Sequence, residues 1–199
     1  GGKYGTKLAF NAAYWAGLEG NFDYANQDYT TELFEFGNKY FSDLNLEIRK
    51  KWSPKWRSTF YFVHQFYNKK EIEGIFSAKP IETNIGVVES THKLGNSKSI
   101  RLEAQKLWSD SEGHDWVGGT FEFNLSSKIS FYVNDIYNNG DDSATSKTHY
   151  YNLGGSYNKG ATRIGLNYGR QRAGLVCVGG ICRFVPEATG LTATLTMAF

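Results

Sequence analysis

The chain has 199 residues, with 22 basic and 20 acidic side chains and a net charge of +2. The charges are spread along the chain without a basic block, which excludes the usual kind of nucleic-acid-binding protein. No apolar run reaches the roughly 18 residues of a transmembrane helix. Aromatic residues make up 16% of the chain, with 22 glycines and only 3 prolines. This composition favours an all-β domain that spans residues 1–199.

Ten segments alternate apolar and polar residues with the period of a β-strand. No signal peptide precedes the first of them, so we expect a mature, trimmed or partial chain. In chain order, the clearest apolar positions are Leu8, Phe10 and Ala12; Leu44, Leu46 and Ile48; Ile100, Leu102 and Ala104; Phe121, Phe123 and Leu125; Ile129, Phe131 and Val133; Tyr151, Leu153 and Tyr157; Ile164, Leu166 and Tyr168; and Leu191, Ala193, Leu195, Met197 and Phe199.

The opposite face of these strands carries full charges of both signs. In a soluble sandwich that face would be solvated, whereas in a membrane barrel it must line the lumen. A charge on the lipid face costs about 2 to 4 kcal/mol at the bilayer midplane. In a narrow barrel, mixed charges would close the lumen with ion pairs. The predicted lumen charges are Asp43, Glu47, Arg49, Arg57, Arg101, Glu103, Glu122 and Arg163.

The connections between the segments alternate in length, as in outer-membrane barrels, which have short periplasmic turns and longer outer loops. Short connections fall at 52–56, 93–98, 126–128 and 158–160, and long ones near 17–29, 68–80, 109–115, 138–147 and 173–189. This order predicts an antiparallel up-and-down transmembrane β-barrel of about ten strands. The barrel is closed if the first segment pairs with the last; otherwise these are the C-terminal ten strands of a larger one.

Aromatic residues collect near the predicted strand ends, where amphipathic rings favour the lipid headgroup level. We therefore predict an aromatic girdle, with ordinary strand packing as the alternative. Its members would be Trp15, Trp52, Trp56, Trp108, Trp116, Tyr137 and Tyr168.

Both cysteines, Cys177 and Cys182, lie in the last long connection around a Gly-Gly bend. Their spacing on the outer side of an envelope protein predicts a disulfide that closes a small ring. Two cysteines without a nearby histidine are a poor metal site, and redox catalysis usually uses a closer pair.

The last strand resembles the terminal strand of outer-membrane barrels, whose final aromatic residue and alternating apolar residues are recognised by the barrel-assembly machinery. The resemblance implies that Leu191, Leu195, Met197 and Phe199 form this assembly signal. Residues 169–199, with Cys-Val-Gly-Gly-Ile-Cys-Arg in the loop, resemble the carboxyl end of a Bacteroidota outer-membrane barrel family of unknown function. That family's longer members imply a bacterial outer-membrane location, with lipid and lipopolysaccharide as neighbours, and further strands on the amino side.

Three functions remain open. We favour a structural or partner-binding role, supported by the cysteine loop and by Phe22, Tyr24 and Tyr29 in the first long connection. A channel is the alternative if the barrel is larger. A hydrolase is the weakest hypothesis, because His149 and His114 follow only the Asp, Ser and Glu residues expected of any solvated loop. We predict no catalytic residue, metal or cofactor, and we expect His64 and His92 to be lumen or rim residues.

Overall fold

The dominant element is one antiparallel sheet of ten strands, β1 to β9 and β12, in the order β1-β2-β3-β4-β5-β6-β7-β8-β9-β12. The computed structural model describes residues 4–23, 25–110, 115–140, 148–178 and 181–197, without the side chains of 19–23, 28–35, 175–178, 181–183 and 185. The strands are β1 Thr6–Asp23, β2 Asp28–Lys51, β3 Trp56–Tyr67, β4 Ile81–Gly95, β5 Lys98–Ser109, β6 Trp116–Asn124, β7 Ile129–Asn138, β8 His149–Lys159, β9 Thr162–Gln171, β10 Gly174–Val178, β11 Ile181–Val185 and β12 Ala188–Met197.

Each strand of this sheet pairs with the strand that follows it within the sheet, and β12 follows β9 after the separate β10–β11 hairpin. The sheet is therefore an up-and-down meander, as predicted. Because residues directly opposite each other in a pair share a face, the register assigns every position to one side. Leu46 lies opposite Phe62, and Phe121 lies opposite both Leu102 and Val133. The predicted apolar positions within the described strands therefore form a single apolar face. We call the opposite side the polar face.

The two faces of the sheet differ in exposure. Among the described residues, no hydrophobic side chain is buried, and Leu102, Phe131 and Leu166 on the apolar face are about half exposed. Along β8, most side chains of the apolar face are exposed, whereas those of the polar face are partly enclosed. The polar face is therefore the more sheltered side, and no layer formed by described residues covers the apolar face.

The connections mostly follow the prediction, with one correction at the first. The segment 17–29 is not a long loop: β1 continues to Asp23 and β2 begins at Asp28. The register between the two strands shifts at Trp15/Ala16, Ala16/Leu18 and Leu18/Gly20. Such bulges insert unpaired residues and break the period-2 pattern, which hides the strand from a reading of alternation. The side chains of Phe22, Tyr24 and Tyr29 lie outside the described part.

The connection after β3 contains the helix α1, Lys69–Glu73. The Asn68 side chain accepts a hydrogen bond from the Glu71 backbone N–H at its start, and Gly74 ends it in the left-handed region, with φ 72°. No helix in the described ranges is long and apolar enough to cross a membrane.

The sheet has two edges that no described strand covers. β1 pairs only with β2, and β12 pairs only with β9. Leu8 on β1 is 70% exposed and Leu191 on β12 is 72% exposed. Within the described residues, the first segment therefore does not pair with the last, which was the condition for closure at ten strands.

A Gly169→Ala substitution should destabilise the sheet where β8 meets β9. A Cβ at Gly169 would overlap the Tyr151 carbonyl oxygen and the Asn152 side chain, and a backbone atom cannot move aside cheaply. Overpacking of this kind costs about 1 to 3 kcal/mol, measurable as a lower unfolding midpoint. Gly165→Ala is the matched control on the same strand and face, because its nearest neighbours lie at 3.9 Å. Equal midpoints for the two variants would contradict this packing.

Candidate functional site

The centre of the polar face holds one guanidinium surrounded by three carboxylates. Arg101 Nη1 lies 2.8 Å from Glu103 and 3.2 Å from Glu89, and Arg101 Nε lies 3.2 Å from Glu122. These residues come from β4, β5 and β6, so the cluster crosses three adjacent strands. Their side chains are 24% to 31% exposed. The cluster joins three of the predicted lumen charges and restrains the relative position of the strands that carry them.

Glu89 was not among the predicted charges, although it faces Glu103 directly across β4 and β5. The reason lies in its own strand. Ile85 and Val87 share the polar face with Glu89, so β4 shows little contrast between its two faces. The sequence signal that could have identified Glu89 as a residue of the polar face was its alternation with Thr91 at the end of β4, next to charged positions of β5.

The register places the other predicted charges on the same polar face without joining them all. Glu47 and Arg49, two residues apart on β2, form an ion pair. Arg57 lies opposite Lys51 and Thr91. Asp43 has a buried carboxylate oxygen without a hydrogen-bond partner in the described structure. Arg163 lies opposite Asn158 and Thr196 and makes no ion pair with a described residue.

The apolar face also carries polar side chains, and these lie towards both ends of its strands. Ser58, Ser90 and His92 lie at the short-turn end, and several pairs lie at the end with the longer connections. His64 bonds to Asn84 at 2.9 Å, Lys106 lies 3.0 Å from Asp115, and His149 lies 2.6 Å from Asp135. Each pair lies within a few residues of a strand end. His64 therefore lies on the apolar face near the long-connection end of β3, and its expected place in the lumen or at the rim stays a prediction. In the described middle strands, the centre of the apolar face is left without charge.

The aromatic residues predicted as a girdle divide between the two faces. Trp52, Trp56 and His92 stack in series at the short-turn end of the apolar face, with ring centroids 5.3 Å apart at each step. Trp108, Tyr137 and Tyr168 lie on the apolar face at the other end. Trp15 and Trp116 do not belong with them: the register puts both on the polar face, opposite Phe41 and Leu107.

His149 begins β8, so it is not a loop residue as the sequence suggested. Its ring bonds to Asp135 and stacks on Tyr137 with centroids 4.3 Å apart. Neither contact brings a Ser, Thr or Cys side chain to the ring, and His114 lies outside the described residues. Over the described ranges, no group of three or more His, Cys, Asp and Glu residues is arranged to hold a metal ion.

The two predicted disulfide partners lie opposite each other in a small hairpin. β10 and β11 pair only with each other, and Cys177 is the cross-strand partner of Cys182. Such partners have Cα atoms about 4.5 to 5.5 Å apart, within the span of a disulfide. The cysteine side chains lie outside the described part, so the bond stays a prediction.

The segments on either side of this hairpin are tied to the main sheet. Glu187 accepts hydrogen bonds from Arg170 Nε at 2.8 Å and from the Tyr150 hydroxyl at 3.2 Å. These hydrogen bonds, chiefly those from Arg170, lower the pKa of the Glu187 carboxyl below its usual value. Arg172 places its guanidinium 4.4 Å from the centre of the Trp116 ring. The chain leaving β9 therefore reaches across β8 and β7 to β6, over the polar face.

The predicted assembly signal is only partly within the described residues. Leu191, Leu195 and Met197 lie on the apolar face of β12 and are more than half exposed. Phe199 lies outside the described part of the chain.

These features define an all-β protein built on a ten-stranded antiparallel meander, with one uncovered apolar face and one polar face crossed by ion pairs. The chain belongs to a family described as a family of unknown function (DUF6029), whose model matches residues 1–199. No curated protein and no solved structure matches it.

Arg101→Met should destabilise the protein by about 1 to 3 kcal/mol, because it leaves three partly buried carboxylates without their cation. Chemical unfolding measures the loss. The control is Arg163→Met on the same face, where no ion pair is removed and a change within about 0.5 kcal/mol is expected. Replacing Glu89, Glu103 and Glu122 by Gln in the Arg101→Met background should recover part of the loss. Equal effects of the two arginine substitutions would contradict the clustered arrangement.

The contribution of Glu187 should depend on pH. Since its folded pKa is lowered, its stabilising effect is complete above the usual carboxyl pKa and is lost as the pH falls through the lowered value. The Tm difference between the natural protein and Glu187→Gln should therefore be largest at pH 7 and vanish in acid. A difference that stays constant across this range would show that the carboxylate charge is not what holds this segment.

Proposed function

We propose that this chain forms the wall of a bacterial outer-membrane β-barrel, with the apolar face towards lipid and the polar face towards the lumen. The observation that carries the proposal is the exposed apolar face together with the lack of any buried hydrophobic side chain in the described structure. Soluble monomers rarely expose apolar patches larger than a few hundred Å². Ten strands of exposed Leu, Val, Ile and Phe need a nonaqueous neighbour.

The distribution of polar groups on the apolar face supports the same orientation. A spanning strand needs about 9 to 11 residues, the length of β6 to β9. Lys106 and the Asp135–His149 pair lie near the long-connection end, where they would reach lipid and lipopolysaccharide headgroups. The stacked Trp52 and Trp56 would occupy the opposite, periplasmic interface. Leu191, Leu195 and Met197 on β12 would then be presented to the barrel-assembly machinery.

The two unpaired edges favour a barrel of more than ten strands. A sheet edge exposes backbone N–H and C=O groups, and in lipid each unsatisfied group costs several kcal/mol. Further strands must therefore complete the hydrogen bonding between β1 and β12, from the same polypeptide or from a second chain. A wider barrel is less completely filled by its side chains, so we propose that the complete barrel is a channel.

A partner-binding role is the second candidate, and the β10–β11 hairpin supports it. Phe184 is 83% exposed there, and the hairpin strands pair only with each other. An exposed aromatic residue on a short hairpin is a common anchor for another protein. Co-purification of an envelope protein that is lost with Phe184→Ser would support this role; an unchanged set of partners would speak against it.

Labelling across β7 tests which face meets lipid. In the Cys177→Ser/Cys182→Ser background, a cysteine at Val133 should react with a lipid-soluble maleimide in intact outer membranes and resist a water-soluble one. A cysteine at Asn134 on the opposite face should react with the water-soluble reagent once the barrel is open to solvent. Equal labelling of the two positions by the water-soluble reagent would overturn the proposed orientation.

Conductance tests the channel. The natural protein that contains this chain, reconstituted in planar bilayers, should show steps of stable current in 1 M KCl (about 3 Å screening length). If the cysteine at Val133 resists the water-soluble maleimide but the protein conducts no ions, the barrel wall is supported and the channel is contradicted. The partner-binding role is then the better proposal.

A further inference from the structure

The short-turn end of the polar face contains a cavity whose walls are strongly basic. Its volume is about 920 Å³, within the range of small-molecule sites. It is formed where β1, β2, β3 and β4 meet the 52–55 turn. The residues that line it include seven lysines and arginines, of which the register places Lys50 on the apolar face, and Glu89 is the one acidic residue among the described lining residues. The whole chain has a net charge of only +2, so this end of the face concentrates positive charge.

Like charges lie directly opposite each other in this cavity, on two neighbouring strand pairs. Lys7 on β1 is the cross-strand partner of Arg49 on β2, and Lys51 on β2 is the partner of Arg57 on β3. Like charges in this position destabilise a sheet. The adjoining centre of the same face is built in the opposite way, with Arg101 among three carboxylates. Repulsion between cations is therefore confined to the short-turn end of the polar face and is not found at its centre.

Most of the cavity's cations make no ion pair with a residue that the structure describes. Arg49 pairs with Glu47, and the Lys50 ammonium group bonds to the Tyr4 carbonyl and the Thr6 hydroxyl. The only acidic residue in the lining, Glu89, is engaged by Arg101. Among the residues that the structure describes, no ion pair is made by the remaining five lining cations, which are Lys7, Lys51, Lys55, Arg57 and Lys93.

Neutral donors complete the lining between these cations. Thr59 lies opposite Arg49, and Thr91 lies opposite Arg57; both are almost fully buried. Tyr61 and Ser53 add hydroxyl groups to the same wall. Guanidinium, ammonium and hydroxyl groups around one concavity form a donor set that suits phosphate and carboxylate oxygens.

We propose that this cavity binds a compact multivalent oxyanion, carrying phosphate or carboxylate groups, at the periplasmic mouth of the lumen. The placement rests on the proposed barrel, whereas binding itself rests only on the cavity. A bound anion relieves the repulsion of the Lys7–Arg49 and Lys51–Arg57 pairs and takes up the donors of the unpaired lysines. In an open channel, the same charges attract anions into the mouth and repel cations.

Calorimetric titration of the natural protein with tripolyphosphate and, separately, with citrate tests the binding. At low salt, Lys51→Glu/Arg57→Glu should weaken binding by at least about tenfold, because it reverses two of the lining charges. Lys51→Gln/Arg57→Gln should weaken anion binding less, because it removes two positive charges without introducing carboxylates that could pair with the neighbouring cations. Lys128→Glu is the matched control: it changes a turn lysine at the same end, outside the cavity, and should alter binding less than about twofold.

Binding by the natural protein that is lost only in the cavity variants supports the proposal, and the tighter of the two probes identifies the oxyanion group. Absence of binding to both probes at low salt, or equal weakening by Lys128→Glu, overturns it.

Reversal potentials in a KCl gradient separate this result from the channel proposal. Anion preference that is lost in Lys51→Glu/Arg57→Glu supports the cavity, and conductance without ion preference or binding overturns the cavity alone. Binding without any conductance contradicts only the channel.

Discussion

No described part of the chain forms a layer against the apolar face of the ten-stranded sheet, and the other features of the molecule depend on that constraint. A β-sheet with one apolar face is stable only when that face is removed from water. Within the described chain, the second sheet is only the two-stranded β10–β11 hairpin, and the helix α1 has only five residues, so neither is large enough to cover this face. In the proposed barrel, the bilayer takes the place of the missing layer, and the sequence needs no hydrophobic core of its own.

The polar face divides into regions of different electrostatic character. At its centre, Arg101 and its carboxylates bind strands to one another, much as a packed core would. At the short-turn end, cations lie opposite cations, so that region concentrates positive charge and does not hold the strands together. Near the longer connections, the chain after β9 extends over the face through the contact of Arg172 with Trp116.

Much of the fold followed from the sequence because period-2 alternation records a sheet with two unlike faces. The strands around Leu46, Phe121 and Leu166 were predicted on the correct side for that reason. The prediction was wrong where alternation is interrupted: the β1 bulges concealed the continuation of two strands, and apolar Ile85 and Val87 concealed Glu89. Pairings between distant strands, such as Lys51 with Arg57, depend on register, which alternation alone does not determine. The cavity at the short-turn end was consequently invisible in the sequence.

The unequal lengths of β1 and β2 and their neighbours give the molecule a mechanical asymmetry. Residues 28–40 of β2 extend past the last residue that pairs with β3, a distance of about 40 Å at the usual rise per residue. Over that length, β1 is the only described strand that pairs with it, and Asn68 donates hydrogen bonds to the Lys39 and Tyr40 carbonyl oxygens at the end nearest β3. A force applied at the far turn acts along the strand axis, so it loads the β2–β3 hydrogen bonds in shear, all together. The ribbon can therefore transmit tension to the sheet without peeling from it one bond at a time.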